Sequence, residues 1–388
     1  MIKKIIIFLV GWKAVIIFFA FIATFTFPIN FVFTPNDRIY YPYIVYIWGN
    51  FDGGHYISIA KSGYFTYQQA FFPLYPLMIH LVASLIHYKY LIAGLIVSHV
   101  SFVLAILMIW KLLILDNHKK LFHFLLLVLI LYPTSPFYGA VYNDSLFFFL
   151  ATLCIYLGRR KKWILASSVG ALATLTRLNG LALFFYLLFE YLYKNELAPK
   201  SIKQFINLIK NTISFTKAKF FFTKQAYAII LIPLAFLAYL LYVQTTQGDW
   251  NMVFSSMKIW NQDKIVFPLQ VVWRYLKIIF TDRSFSMTYW VATIEFLFVV
   301  WYLVISIYSY SKIRFSYWVF MVLSLLIPSL TGTFAGMPRY GLHIYPFFLS
   351  VAIFLSGRPF TIKTLYFFIS IVLMFIVVMF FTRGYFIS

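Results

Sequence analysis

Three stretches of this sequence hold ionisable groups whose types could do chemistry together. WGNFDGGHYISIAKSGY (48–64) carries Asp52, followed by Gly53, Gly54 and His55. A carboxylate beside a hydroxyl can act as a general base. Asp is also a favoured helix N-cap, and Asp52 could simply cap the helical run after it. YPTSPFYGAVYNDSLFFF (132–149) contributes Asn143 and Asp144. They open an apolar segment, where capping again competes with a role in holding an acceptor or supporting Asp52. TLTRLNG (174–180) holds Arg177 and Asn179, and GMPRYGLHIYP (336–346) holds Arg339 and His343. A guanidinium grips phosphate in two-point fashion. The alternatives are an Arg177 that snorkels to an interface, an Arg339 in a tight outer turn, and a His343 that is a satisfied polar residue. His55 with Asp52 could bind a divalent cation, but two ligands do not make a metal site. Lys13 and Glu295 are lone ionisable residues in or near apolar runs and receive no role.

The elements that position these groups are membrane helices. Of 388 residues, 63% are hydrophobic and 11% charged, against about 25% charged in soluble domains. Apolar runs recur at about 5–27, 91–114, 121–140, 143–158, 163–178, 180–194, 226–243, 288–308, 315–333, 341–356 and 363–382. This predicts an all-α polytopic protein of about eleven transmembrane helices, with 1–388 as one integral membrane domain. The N-terminal apolar run is too long for a cleaved signal and is read as a first span. The single cysteine, Cys154, allows no internal disulfide.

The net charge of +22 does not point to nucleic acid, because the basic residues lie in short blocks between spans. Anionic lipid headgroups suit those blocks. Segment 70–87 sets the topology. If it crossed, the basic blocks at 159–162 and 194–224 would lie outside. If it only dips in, 20 of 32 basic residues fall inside, 11 outside, and Lys13 within the first span. The second arrangement obeys the positive-inside rule. Residues 28–90 then form a first outer loop with membrane-parallel helices, 194–224 a basic cytoplasmic loop and 244–287 a second outer loop. The N-terminus is cytoplasmic. Most acids face outward, where the chemistry is expected. The amino-acid bias suggests an AT-rich genome and hence a prokaryotic cell membrane.

FDGGHYISIAKSGY followed by AFFPLYPLM resembles the first-loop signature of PIG-V-type mannosyltransferases, the class that includes the glycosylphosphatidylinositol mannosyltransferase 2. YPTSPFYGAVYNDSLFFFLA, RRKKWILASSVGALATLTRLNGLAL and MPRYGLHIYPFF resemble its later signatures in the same order. The likeness covers most of 48–190 and 330–350. It departs at Phe51, where the family has Trp before the acid. The resemblance implies a GT-C glycosyltransferase with an essential acid in the first outer loop. It implies inverting transfer of a sugar, mannose by the family, from a polyprenyl-phosphate donor to a hydroxyl of a lipid-linked or cell-surface glycan. Asp52 would be the base. Arg177, Arg339 and His343 would bind the donor phosphate across the cleft. His55, Asn143, Asp144 and Asn179 would support the acceptor. No cofactor is implied, and a divalent cation stays open. The competing class is a multi-span transporter or lipid flippase, which should show repeated halves around a midplane site.

Overall fold

The computed structural model describes residues 2–32, 34–194, 223–260, 262–282 and 286–385. The basic stretch at 194–224 therefore lies, apart from its ends, outside the described residues. Those residues form an all-helical chain. Its principal helices are α1 (Ile2–Thr26), α2 (Asp52–Ser62), α3 (Leu74–Leu85), α4 (Tyr90–Leu115), α5 (Phe122–Ile130), α6 (Asp144–Arg159) and α7 (Trp163–Thr174). Next come α8 (Ala182–Lys194), α9 (Lys224–Gln247), α10 (Pro268–Thr281), α11 (Met287–Ser309), α12 (Phe315–Ser329), α13 (Tyr345–Ser356) and α14 (Phe360–Thr382).

Each of the eleven apolar runs contains a helix. Five of these helices, α1, α4, α9, α11 and α14, are long and apolar enough to cross a membrane. Their outer faces carry exposed apolar side chains, such as Phe18, Phe21 and Phe25 on α1 and Leu365, Phe368 and Ile369 on α14. Such faces suit lipid contact, since hydrocarbon tails are as apolar as leucine.

The run at 121–140 differs from expectation. Its helix stops at Ile130, and a short 3₁₀ turn, Ser135–Gly139, follows inside the protein. Pro133 and Pro136 explain the stop, because proline lacks an N–H and pushes the preceding residue out of helical geometry. Irregular backbone at this depth needs internal partners. The Ser135 hydroxyl supplies one by donating to the Ile130 carbonyl at 2.7 Å. The runs at 315–333 and 341–356 shorten similarly, to α12 and α13, around left-handed glycines Gly332 (φ 85°) and Gly336 (φ 80°).

Segment 70–87 contains one helix, α3, which buries Tyr75, Ile79 and Ala83 and exposes Leu77, Leu81 and Leu85. Its 12 residues extend about 18 Å, against a ~30 Å hydrocarbon core. Helices α7 and α13 have the same length, so loop charge rather than length carries the topology.

Helices α4, α6 and α7 form the centre. The start of α4 meets the chain before α6 at Gly94, where an added Cβ would lie 2.5 Å from Val141 Cγ1. The two ends of the chain also meet. Arg383 Nε donates to the Phe27 carbonyl at 2.7 Å and its Nη1 to the Tyr43 hydroxyl at 3.1 Å. Asn50 Nδ2 donates to the Phe381 carbonyl at 2.8 Å.

Candidate active site

Asp52 and Asp144 are the first residues of α2 and α6, and neither residue preceding them makes a side-chain cap bond. Negative charge in a first turn suits the helix dipole. Both carboxylates, however, turn to partners far away in sequence. Asp52 Oδ2 accepts from Arg339 Nη1 at 2.8 Å. Asp144, fully buried, accepts from Arg339 Nε at 3.2 and 3.3 Å on its two oxygens. Arg177 Nη1 reaches Asp144 Oδ1 at 3.1 Å and Asn143 Oδ1 at 3.0 Å.

His343 completes the cluster. Its Nε2 lies 2.5 Å from Asp144 Oδ1 and 2.8 Å from Arg177 Nη1. One nitrogen thus meets both a carboxylate oxygen and a guanidinium N–H. The ring is fully buried and its Nδ1 has no hydrogen-bond partner among the described residues. Two guanidiniums therefore face two carboxylates, and the cluster balances with neutral histidine. Aromatic faces add to the hold on the cations: Arg339 lies 4.5 Å from the Tyr142 ring centre and 5.1 Å from that of Phe137, and Arg177 lies 5.4 Å from Tyr340.

The segment before Asp52 is strained. Phe51 adopts φ 55° and ψ −118°, a conformation disfavoured for a residue with a Cβ. Gly53 packs against the Val141 segment, where an added Cβ would meet the Val141 carbonyl at 3.3 Å. Gly54 has open space instead. The glycine pair thus divides its work, the first glycine fitting backbone and the second facing a cavity.

Asp52 borders two cavities. One, of about 380 Å³, is walled by Tyr56, Asn143, Arg177, Asn179, Arg339 and Tyr340. The other, of about 570 Å³, is walled by Asp37, Gly54, His55, Lys61 and Gln68. Phe51, Asp52, Ile259 and Trp260 line both. His55 accepts at Nδ1 from Gln68 Nε2 at 3.3 Å and stacks on Phe71 at 4.8 Å. Burial pushes its imidazole below the ordinary value, and nearby Asp52 opposes the shift. The Tyr56 hydroxyl is pushed up by burial and by Asp52, so it stays protonated.

The structure brings Asp52, Asn143, Asp144, Arg177, Arg339 and His343 into one bonded cluster. Three expectations change. Arg339 is not across a cleft from Asp52 but paired with it. His343 does not line the cavity, so it meets a ligand only through Asp144 and Arg177. Asn179 lines the cavity, yet its Nδ2 is committed to the Ser324 carbonyl at 2.8 Å. His55 faces the second cavity, away from the guanidiniums. Among the described residues, no group of three or more His, Cys, Asp or Glu side chains is placed to hold a metal ion.

Sequence reasoning missed the residues that hold the Arg339 turn. Tyr132 and Thr134 hydroxyls each donate to the Pro338 carbonyl at 3.0 Å, and the Tyr302 hydroxyl donates to the Met337 carbonyl at 2.9 Å. Glu295, unassigned above, accepts from the Tyr275 hydroxyl at 2.6 Å and from the Gly336 N–H at 3.3 Å. A lone acid in an apolar helix is a signal in itself, but it names no partner. Lys13 has its Nζ 4.3 Å from the Trp48 ring centre and 3.5 Å from the Gly139 carbonyl.

The cluster defines an all-helical, multi-pass membrane protein with a polar two-cavity site at helix termini. No family model matches the chain, and no curated protein does. Among solved structures, the chain is similar to the Archaeoglobus fulgidus oligosaccharyltransferase tethered with an acceptor peptide, at 12% identity and a TM-score of 0.42. The match covers 97% of this chain and 55% of that one, so the chain spans about half the length of that protein. A likeness at that score leaves the site and its substrates to be argued from the residues.

Proposed function

We propose that this chain is an inverting glycosyltransferase of the GT-C class. It moves a sugar, mannose by the motif resemblance, from a polyprenyl-phosphate donor to a hydroxyl of a lipid-linked or cell-surface glycan. The observation that carries the reading is Asp52: it borders both cavities and pairs with a guanidinium at 2.8 Å. The Arg177–Arg339 cavity receives the donor's phosphate and its sugar. The second cavity receives the acceptor. In this reading residues 28–90 and 244–287 lie outside, the N-terminus is cytoplasmic, and the prenyl tail stays in lipid.

At rest Arg339 masks Asp52. A phosphodiester entering beside Arg177 competes for Arg339, and Asp52 is freed to meet the acceptor hydroxyl as its cation turns to the donor. Asp52 then takes the acceptor proton as the acceptor oxygen bonds to the anomeric carbon. The bond from that carbon to the phosphate oxygen breaks on the opposite face. Both guanidiniums stabilise the charge gained by the departing phosphate.

The test uses the full chain in liposomes with radiolabelled polyprenyl-phosphate mannose and a glycolipid acceptor. Asp52→Asn should cut transfer by at least ~10²-fold, the lower range for a general base, while the chain still inserts and unfolds less readily than Asp144→Asn, since Asp52 is partly exposed to water. Near-normal transfer by that variant eliminates Asp52 as the base.

A further inference from the structure

A second ionic cluster lies at the other end of α6. From Asp144 to Arg159 that helix rises about 22 Å. There a cavity of about 290 Å³ is walled by Asp116, His118, Arg159, Lys312, Arg314 and Tyr317. Acids pin both arginines, Asp116 half-buried and Glu190 buried. Arg159 Nη1 donates to Asp116 and to the Tyr317 hydroxyl, and that hydroxyl donates to Asp116 Oδ2 at 3.0 Å. Arg314 Nε and Nη2 donate to the two oxygens of Glu190 at 2.9 and 3.2 Å, and the Ser316 hydroxyl donates to Glu190 at 2.6 Å. Lys312 is exposed on the rim, and its ammonium has no partner among the described residues.

Three cations thus face two acids, Asp116 on the wall and Glu190 behind it. One positive charge is left uncompensated at a concave site whose guanidiniums are already oriented. Arg160, Lys161 and Lys162 lie on the loop beside it and reinforce the field. A fixed guanidinium offers parallel donors to a pair of anion oxygens, phosphate oxygens included, and an ammonium adds a movable point charge. We infer that this cavity binds a phosphate group carrying about one negative charge, as a phosphodiester does. It is separate from the cavity beside Asp52 and does not depend on the transferase reading. The phosphate can come from a phospholipid headgroup or from solution.

Native mass spectrometry of the full chain in detergent distinguishes the sources. The chain is titrated with phosphatidylglycerol, with phosphatidylcholine and with inorganic phosphate. We expect one saturable phosphatidylglycerol, weakened about tenfold by Lys312→Gln, the loss of one charge-assisted contact, and unchanged by Lys120→Gln on the same face. Displacement of that lipid by millimolar inorganic phosphate identifies a soluble anion as the ligand, and resistance to displacement identifies the headgroup. Three results overturn the site: no saturable binding of lipid or phosphate, equal losses in both variants, or no loss in Lys312→Gln.

Discussion

Arg339 Nη1 donates to Asp52 Oδ2 at 2.8 Å while its Nε donates to Asp144, so one guanidinium ties together the first residues of two helices. The carboxylate best placed for chemistry is therefore held by a residue 287 positions later. Arg339→Lys keeps the charge but loses the Nε bond and the stacking on Tyr142. One charge-assisted bond is worth about 1.5–3 kcal/mol, so the donor kcat/KM should fall by roughly 10–100-fold. Initial rates against donor concentration measure this. Full activity with lysine would mean that a point charge suffices.

Asp144 has no exposed surface and compensates Arg177 and Arg339 together. Asp144→Asn leaves two guanidiniums facing one carboxylate in the protein interior. Removing one partner of a buried ion pair costs about 3–5 kcal/mol, so thermal unfolding in detergent should shift down markedly. An unfolding midpoint matching wild type would mean that the cluster relaxes or hydrates, and that Asp144 does not hold it.

Tyr275 lies on α10, outside both cavities, and its hydroxyl links Glu295 to the Phe334 N–H at 3.0 Å. Burial and Glu295 push this hydroxyl up, so it remains a donor at neutral pH. Tyr275→Phe leaves Glu295 without that donor and loosens the turn that carries Arg339. The expected cost is about 1–3 kcal/mol of stability, with the donor KM raised more than the acceptor KM. Equal changes in the two KM values would refute a positioning role directed at Arg339.

His55 gives a pH dependence with a definite sign. Burial lowers its folded value below the ordinary one, so near the ordinary histidine value the unfolded chain binds more protons than the folded one. Its contribution is intact above the ordinary value of about 6.5 and is lost as pH falls from there through the lowered folded value. His55→Gln, which cannot titrate, should flatten the fall in unfolding temperature between about pH 7 and 5. An unchanged slope assigns the acid sensitivity to other groups.

Helical character and the strongest apolar runs were legible because 20-residue apolar segments have few other uses. Pro133 and Pro136 mark a break in the 121–140 run, but hydropathy continues through them, so the run overshoots the end of α5 at Ile130. Among the site residues, Asp52, Asp144, Arg177 and Arg339 were conspicuous as charges in an apolar chain. Capping was the competing account of both acids, and local spacing could not decide it, because the competitor was a guanidinium nearly 200 or more residues away. The pairing of Arg339 with Asp52, the withdrawal of His343 behind Asp144 and the hydroxyl brace from Tyr132, Thr134 and Tyr302 are tertiary facts with no sequence-local signal. Tyr and Thr are too common in this chain for their roles to stand out.

The clasp between the chain ends bears on how the protein is made. Asn50 is held by the Phe381 carbonyl, and Arg383 reaches Phe27 and Tyr43. During synthesis, the loop carrying Asp52 emerges long before the ribosome has translated its anchors. Asp52 waits first for Arg339 and then, until α14 inserts, for the Phe381 carbonyl that holds neighbouring Asn50, so a nascent or C-terminally truncated chain cannot assemble a finished site, however well its earlier helices have entered the bilayer.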